Sequence, residues 1–199
     1  MKRTTTRRRR EIARFIADNR RLFPFVGLLL AGVAIGVAVH PAVSPTDRLL
    51  ALSPVEPGLS GWLQALWNGS FSTLTMLAAL YLLGLWGCGA PFILAVPVFY
   101  GLGVGLAEAH YYARGAQGVL SVALLILPVA VLTGGLLTAA GVQSLRLSLR
   151  LSRQLLPGGE GNLWVSFRLY SLRFLLFVAG AVVIGLLDVV LRALLPSFL

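Results

Sequence analysis

From Phe23 onward the chain is a series of long apolar runs separated by short polar breaks. A run of about 20 apolar residues is the length that crosses a bilayer core as a helix. The pattern predicts five spans, at about 23–40, 71–89, 91–109, 118–141 and 173–196. The fold class is therefore an all-α membrane protein, a helical bundle of about five transmembrane helices with interfacial amphipathic helices. Residues 1–22 form a basic cytoplasmic tail, in which Ile12, Phe15, Ile16 and Leu22 mark a short interfacial helix. Residues 23–199 form a single transmembrane domain.

The breaks and small residues add detail. Gly32 and Gly36 form a Gly-x-x-x-Gly pair in the first span, a spacing that lets helices approach closely in lipid. Pro41, Pro45, Pro54 and Pro57 open a loop after it. Leu59, Trp62, Leu63, Leu66 and Trp67 then fall on one helical face. Tryptophan favours the membrane–water boundary, so this segment is predicted to be a short helix on the outer surface. It has two uses there, as a membrane anchor or as a docking face.

Gly87, Gly89 and Pro91 separate the second run from the third. A tight turn between two full spans suits run lengths near 20 residues; a re-entrant pair is the alternative. Glu108, His110 and Arg114 are placed in a short outer loop. Pro128 lies inside the fourth span, where a missing N–H predicts a kink. From Leu145 to Ser152 apolar and polar residues alternate, which would suit a strand. A lone strand beside a membrane has unpaired edges, so a helical extension of the fourth span is expected. That extension puts Arg146, Arg150 and Arg153 on one face and ends at Pro157-Gly158-Gly159. Leu163, Phe167, Tyr170 and Phe174 begin the stripe that enters the last span.

Composition agrees with the pattern. The chain has 199 residues, 57% hydrophobic and 12% charged, whereas soluble domains are about 45–50% apolar and about 25% charged. The net charge of +10 would suggest nucleic acid in a soluble protein. Here nine Lys/Arg up to Arg21 directly precede an apolar span, the placement of a flank held by anionic lipid, so no nucleic-acid partner is expected. A cleaved signal peptide is the rival reading; the run from Phe23 to Val39 is long for one, and His40-Pro41 is a poor cleavage site. With the N-terminus cytoplasmic, inner segments hold 14 Lys/Arg and outer segments three, Arg48, Arg114 and Arg192. The positive-inside bias therefore puts the C-terminus outside. Lys2 is the only lysine against 16 arginines, a bias typical of GC-rich genomes, so a bacterial inner (plasma) membrane is expected.

Chemistry is sparse. Asp188 and Arg192 stand one turn apart in the fifth span. Charges in hydrocarbon are expensive and mark functional candidates. As acid and base at i, i+4 they also read as a self-neutralising structural pair. Conduction lacks a second acid or a chain of polar residues. Glu108 and His110, at i, i+2, point to different helix faces and make a poor metal pair. Cys88 is the single cysteine, which leaves no internal disulfide and no multi-cysteine metal site. His-Glu-x-x-His, Gly-x-Ser-x-Gly and Walker motifs are absent from the sequence. No catalytic, metal or cofactor residue is assigned, and an enzyme is not expected. The structural or interaction candidates are Asp188, Arg192, Trp62, Trp67, Glu108, Pro91 and Pro128.

Residues 20–199 resemble the stage II sporulation protein M family. The resemblance rests on Asn68, Leu83-Gly84, Gly87, Gly89 and Pro91, then Gly101, Gly103 and Gly105, then Pro128, a basic segment, Asp188 and Pro196. Many relatives follow the fourth-span proline with a histidine and a glutamate; here Val129 and Thr133 stand at those places, and neither ionises. The resemblance implies a non-enzymatic membrane scaffold that anchors envelope or peptidoglycan-remodelling partners. The alternative is a permease-like transporter subunit working with a separate ATPase. Expected partners are the bilayer, other membrane or envelope proteins such as a hydrolase or an ATPase, and further copies of the chain.

Overall fold

The structure, a computed structural model, describes residues 22–42, 58–154 and 163–194. The elements in chain order are α1 (Leu22–Val39), a short 3-10 turn (His40–Ala42), α2 (Leu59–Leu85), α3 (Ala90–Tyr112), α4 (Ala116–Ser121), a π-helical turn (Val122–Ile126), α5 (Leu127–Gln154) and α6 (Leu163–Leu194). The π turn joins α4 to α5 in one continuous rod. Five helical units are thus long and apolar enough to cross a membrane, and the all-α bundle is as expected. In each, at most 28% of the most apolar window is buried within the protein. The rest, including Leu176 on α6 and Phe99 on α3, faces outward. In water this would be one large sticky surface; in lipid it is the solvent-matched face.

The interfacial tail helix, the loop prolines Pro45, Pro54 and Pro57, the Pro157-Gly158-Gly159 stop and Pro196 lie outside the described residues. Two other expectations are corrected. The short surface helix at 59–68 is instead the beginning of α2, a single helix of 27 residues. Its length, about 40 Å at 1.5 Å per residue, exceeds a hydrocarbon core of about 30 Å. The polar Asn68-Gly69-Ser70 step does not break it, because Ser70 is buried against α6, where a Cβ on Gly185 would overlap its Oγ. His110 and Glu108 lie in the last turns of α3, not in a loop. The last helix starts at Leu163 and runs into the predicted span without a break, as the stripe from Leu163 predicts.

The helix is disturbed just before Pro128, where the sequence predicts a kink. Proline lacks an N–H and its ring crowds the carbonyl four residues back. The backbone relieves this by widening to a π turn just before it, in which Leu127 N–H donates to Val122 O, five residues earlier. Pro91 sits in the first turn of α3, where a missing donor has no consequence. The α2–α3 break is a tight turn, with Gly89 N–H donating to Trp86 O at 2.9 Å.

α1 packs along α3 through glycines on both helices. Cβ atoms on Gly32 and Gly36 would overlap the Val98 and Leu102 carbonyl oxygens; on Gly101 and Gly105 they would overlap those of Leu29 and Val33. The Gly-x-x-x-Gly pair of α1 therefore meets a second one on α3, backbone against backbone. The core lies where α1, α3 and α6 begin and α2 ends. Phe25, Tyr170 and Phe174 are its aromatic members, packed with Leu80, Ile93 and Leu137.

Polar side chains tie this end together. Tyr170 Oη of α6 donates to the Tyr81 carbonyl at 3.1 Å and approaches that of Leu80 at 3.3 Å. Ser148 Oγ of α5 donates to Trp86 O at 2.8 Å. The Leu80 and Tyr81 carbonyls stand in the last turns of α2, and that of Trp86 follows in the α2–α3 turn, so both bonds tie α5 and α6 to this end of α2.

Candidate functional site

Asp188 occupies the C-terminal half of α6, 7% exposed. Arg192, one turn on, forks onto it: Nε donates to Oδ1 at 3.0 Å and Nη2 to Oδ2 at 2.5 Å. The i, i+4 pairing is as the spacing predicted. Both carboxylate oxygens are engaged, so the pair is internally neutral.

The surroundings of the pair are not those expected. A cavity of about 340 Å³ opens beside it, and its walls bring in Ser72 and Thr73 of α2, Tyr100 of α3 and Thr133 of α5. Thr133 is 3% exposed. Tyr100 Oη donates to Ala130 O at 3.2 Å. Nearby, Ser70 Oγ is buried without a hydrogen-bond partner among the described residues. Asp188 is thus accompanied by hydroxyls from three other helices, a grouping that chain position alone does not show. Val129, the other residue at which the family resemblance departs, lines the same cavity as Thr133. Small polar residues inside apolar runs were the available signal, but several spans carry them and nothing local says which face one another.

The remaining candidates lie apart. Glu108 lines a separate, mostly apolar groove of about 610 Å³ between α1, α3 and α5. His110 accepts a hydrogen bond at Nε2 from Arg114 at 3.2 Å. Its ring lies 6.2 Å from that of His40, so the two histidines of the chain meet at one end of the bundle. Among the described residues no group of three metal-ligating side chains forms. Trp62 and Trp67 are exposed on the first turns of α2, and Trp67 leans on Phe71, ring centres 5.8 Å apart. Pro91 and Pro128 shape helices and hold no ligand-binding atoms. Cys88 is exposed in the turn before α3.

The cavity can hold a small polar solute against hydroxyls and a neutralised carboxylate. It offers no activated nucleophile within the described residues. Comparison with known proteins gives no guide to its use: no family model matches the chain, and no curated protein or solved structure matches it.

Proposed function

We propose that the protein is a non-enzymatic, multi-pass scaffold of a bacterial cell membrane that docks partner proteins, envelope-remodelling hydrolases among them. The observation that carries this reading is the apolar face at the start of α2. Leu59, Leu63 and Trp67 are 79%, 57% and 62% exposed there. The face continues a spanning helix beyond bilayer length, so it stands where an extracytoplasmic partner meets the membrane. Large aromatics dominate binding hot spots. The Asp188–Arg192 pair supports the same reading, since its charges satisfy each other.

The test is Trp62→Ala with Trp67→Ala, combined with photo-crosslinking from position 63 on the same face, which both wild type and double variant can carry. The double variant is expected to keep its membrane level and topology while losing a crosslinked envelope protein. If wild-type crosslinks capture only lipid or the protein's own helices, and the double variant behaves as wild type in cells, the docking reading fails.

The second reading, a permease-like subunit served by a separate ATPase, is favoured by the polar cavity beside Asp188. A stoichiometric ATPase co-purifying with the chain, released by Thr133→Leu or Asp188→Asn in step with loss of substrate uptake, distinguishes it from the scaffold.

A further inference from the structure

The end of the bundle opposite the Trp62 face carries a second, differently built feature. Arg146 and Arg150 of α5 stand one turn apart, and Arg173 of α6 faces them across a cleft of about 290 Å³. Arg173 Nη1 donates to Gln143 Oε1 at 3.0 Å, which holds that guanidinium at the cleft. Leu147 and Leu169 line the apolar part of the cleft. No carboxylate lines it among the described residues; of the two described acids, Glu108 lies in another groove and Asp188 is forked to Arg192. Three cations therefore converge from two helices with no anion between them among the described residues. Mutual repulsion disfavours that arrangement unless an anion is supplied.

The depth of the cleft says which anion. Ser148, between Arg146 and Arg150, bonds to the carbonyl of Trp86 in the α2–α3 turn, so the arginines sit at the end of the bundle where two spanning helices meet in a turn. From Leu169 an exposed leucine row continues along α6 toward the bilayer through Leu172 and Leu176, 60% and 69% exposed. An anion at the cleft attached to an acyl chain would lay that chain on this row. Guanidinium groups fork onto phosphate oxygens, and basic pockets between spanning helices suit phosphate-bearing headgroups.

We propose that Arg146, Arg150 and Arg173 form a specific site for the phosphate of an anionic glycerophospholipid, with its acyl chain along Leu169, Leu172 and Leu176. The site goes beyond the scaffold reading and does not depend on it.

The test uses the full chain purified in detergent. Lipid retention is read by native mass spectrometry after adding phosphatidylglycerol, cardiolipin or phosphatidylcholine. The wild type is expected to retain the two anionic lipids and not phosphatidylcholine. Each of Arg146→Gln and Arg173→Gln should weaken retention at least about tenfold, the worth of a hydrogen bond to a charged group. Arg168→Gln removes an exposed charge from the same end of α6 that does not line the cleft, and it should weaken retention no more than about fivefold, the worth of one basic residue near an anionic surface. Arg173→Lys keeps the charge without the fork and should fall between wild type and Arg173→Gln, which separates site loss from unfolding. Excess inorganic phosphate should not displace the lipid. The proposal is overturned if Arg168→Gln weakens retention as much as Arg173→Gln, since surface charge alone would then explain binding. It is equally overturned if inorganic phosphate displaces the lipid fully, or if phosphatidylcholine is retained as well as phosphatidylglycerol.

Discussion

Gly36 of α1 and Gly105 of α3 touch backbone to backbone: a Cβ on Gly36 would fall 3.1 Å from the Gly105 Cα and 2.9 Å from the Leu106 nitrogen. Neither neighbour can yield, because both are main-chain atoms of a packed helix. Gly36→Ala and Gly105→Ala should each destabilise the protein by about 1–3 kcal/mol, the usual range for overpacking. Gly27→Ala and Gly103→Ala are the controls, on the same two helices with nothing within 4 Å. They should be neutral or slightly stabilising, since alanine is the better helix former by up to about 1 kcal/mol. Thermal unfolding followed by fluorescence-detected gel filtration reads the difference.

Asp188→Ala should lower folded yield, because it strands the Arg192 guanidinium beside lipid. Insertion scales put an unpaired charge at about 2.5–3.5 kcal/mol at the membrane centre and less toward the interface. Asp188→Ala combined with Arg192→Ala should recover part of the yield. Normal yield of the single variant with complete loss of function in cells would make Asp188 a working residue of the cavity instead of a structural one.

Tyr170 and Gly84 should show coupled effects. A Cβ on Gly84 would overlap the Tyr170 hydroxyl, which itself bonds to α2 carbonyls. Tyr170→Phe should cost about 0.6–1.7 kcal/mol, the range of interhelical hydrogen bonds in membranes. Gly84→Ala should be poorly tolerated alone and better tolerated in the Tyr170→Phe background. Additive effects in a double-mutant cycle would contradict this packing.

Topology is testable without any assumption about partners. The basic bias predicts an N-terminus inside and, with five spans, Leu199 outside. Alkaline phosphatase fused after Leu199 should be active, and fused near Gly159 inactive. The reverse result would invert the orientation.

What the sequence by itself determined were the properties that depend on one helix at a time. Five spans were legible because hydropathy is a local sum. The start of α6 was legible from the stripe at Leu163, the disturbance at Pro128 from its missing N–H, and the Asp188–Arg192 fork from i, i+4 geometry. The boundary between Trp67 and Phe71 was misread because two tryptophans on one face suit a separate surface helix, and the contact of Ser70 with Gly185 on α6 is invisible in the sequence. Only the tertiary structure decided that α1 packs along α3, that hydroxyls of α2, α3 and α5 gather at Asp188, and that Arg173 faces Arg146 and Arg150. In a soluble helix an apolar stripe marks the face that turns inward. In lipid the outward face is apolar too, so the sequence carries no such mark. Close approach is then selected by small residues and hydrogen bonds between helices far apart in the chain. Gly36 meets Gly105 for that reason.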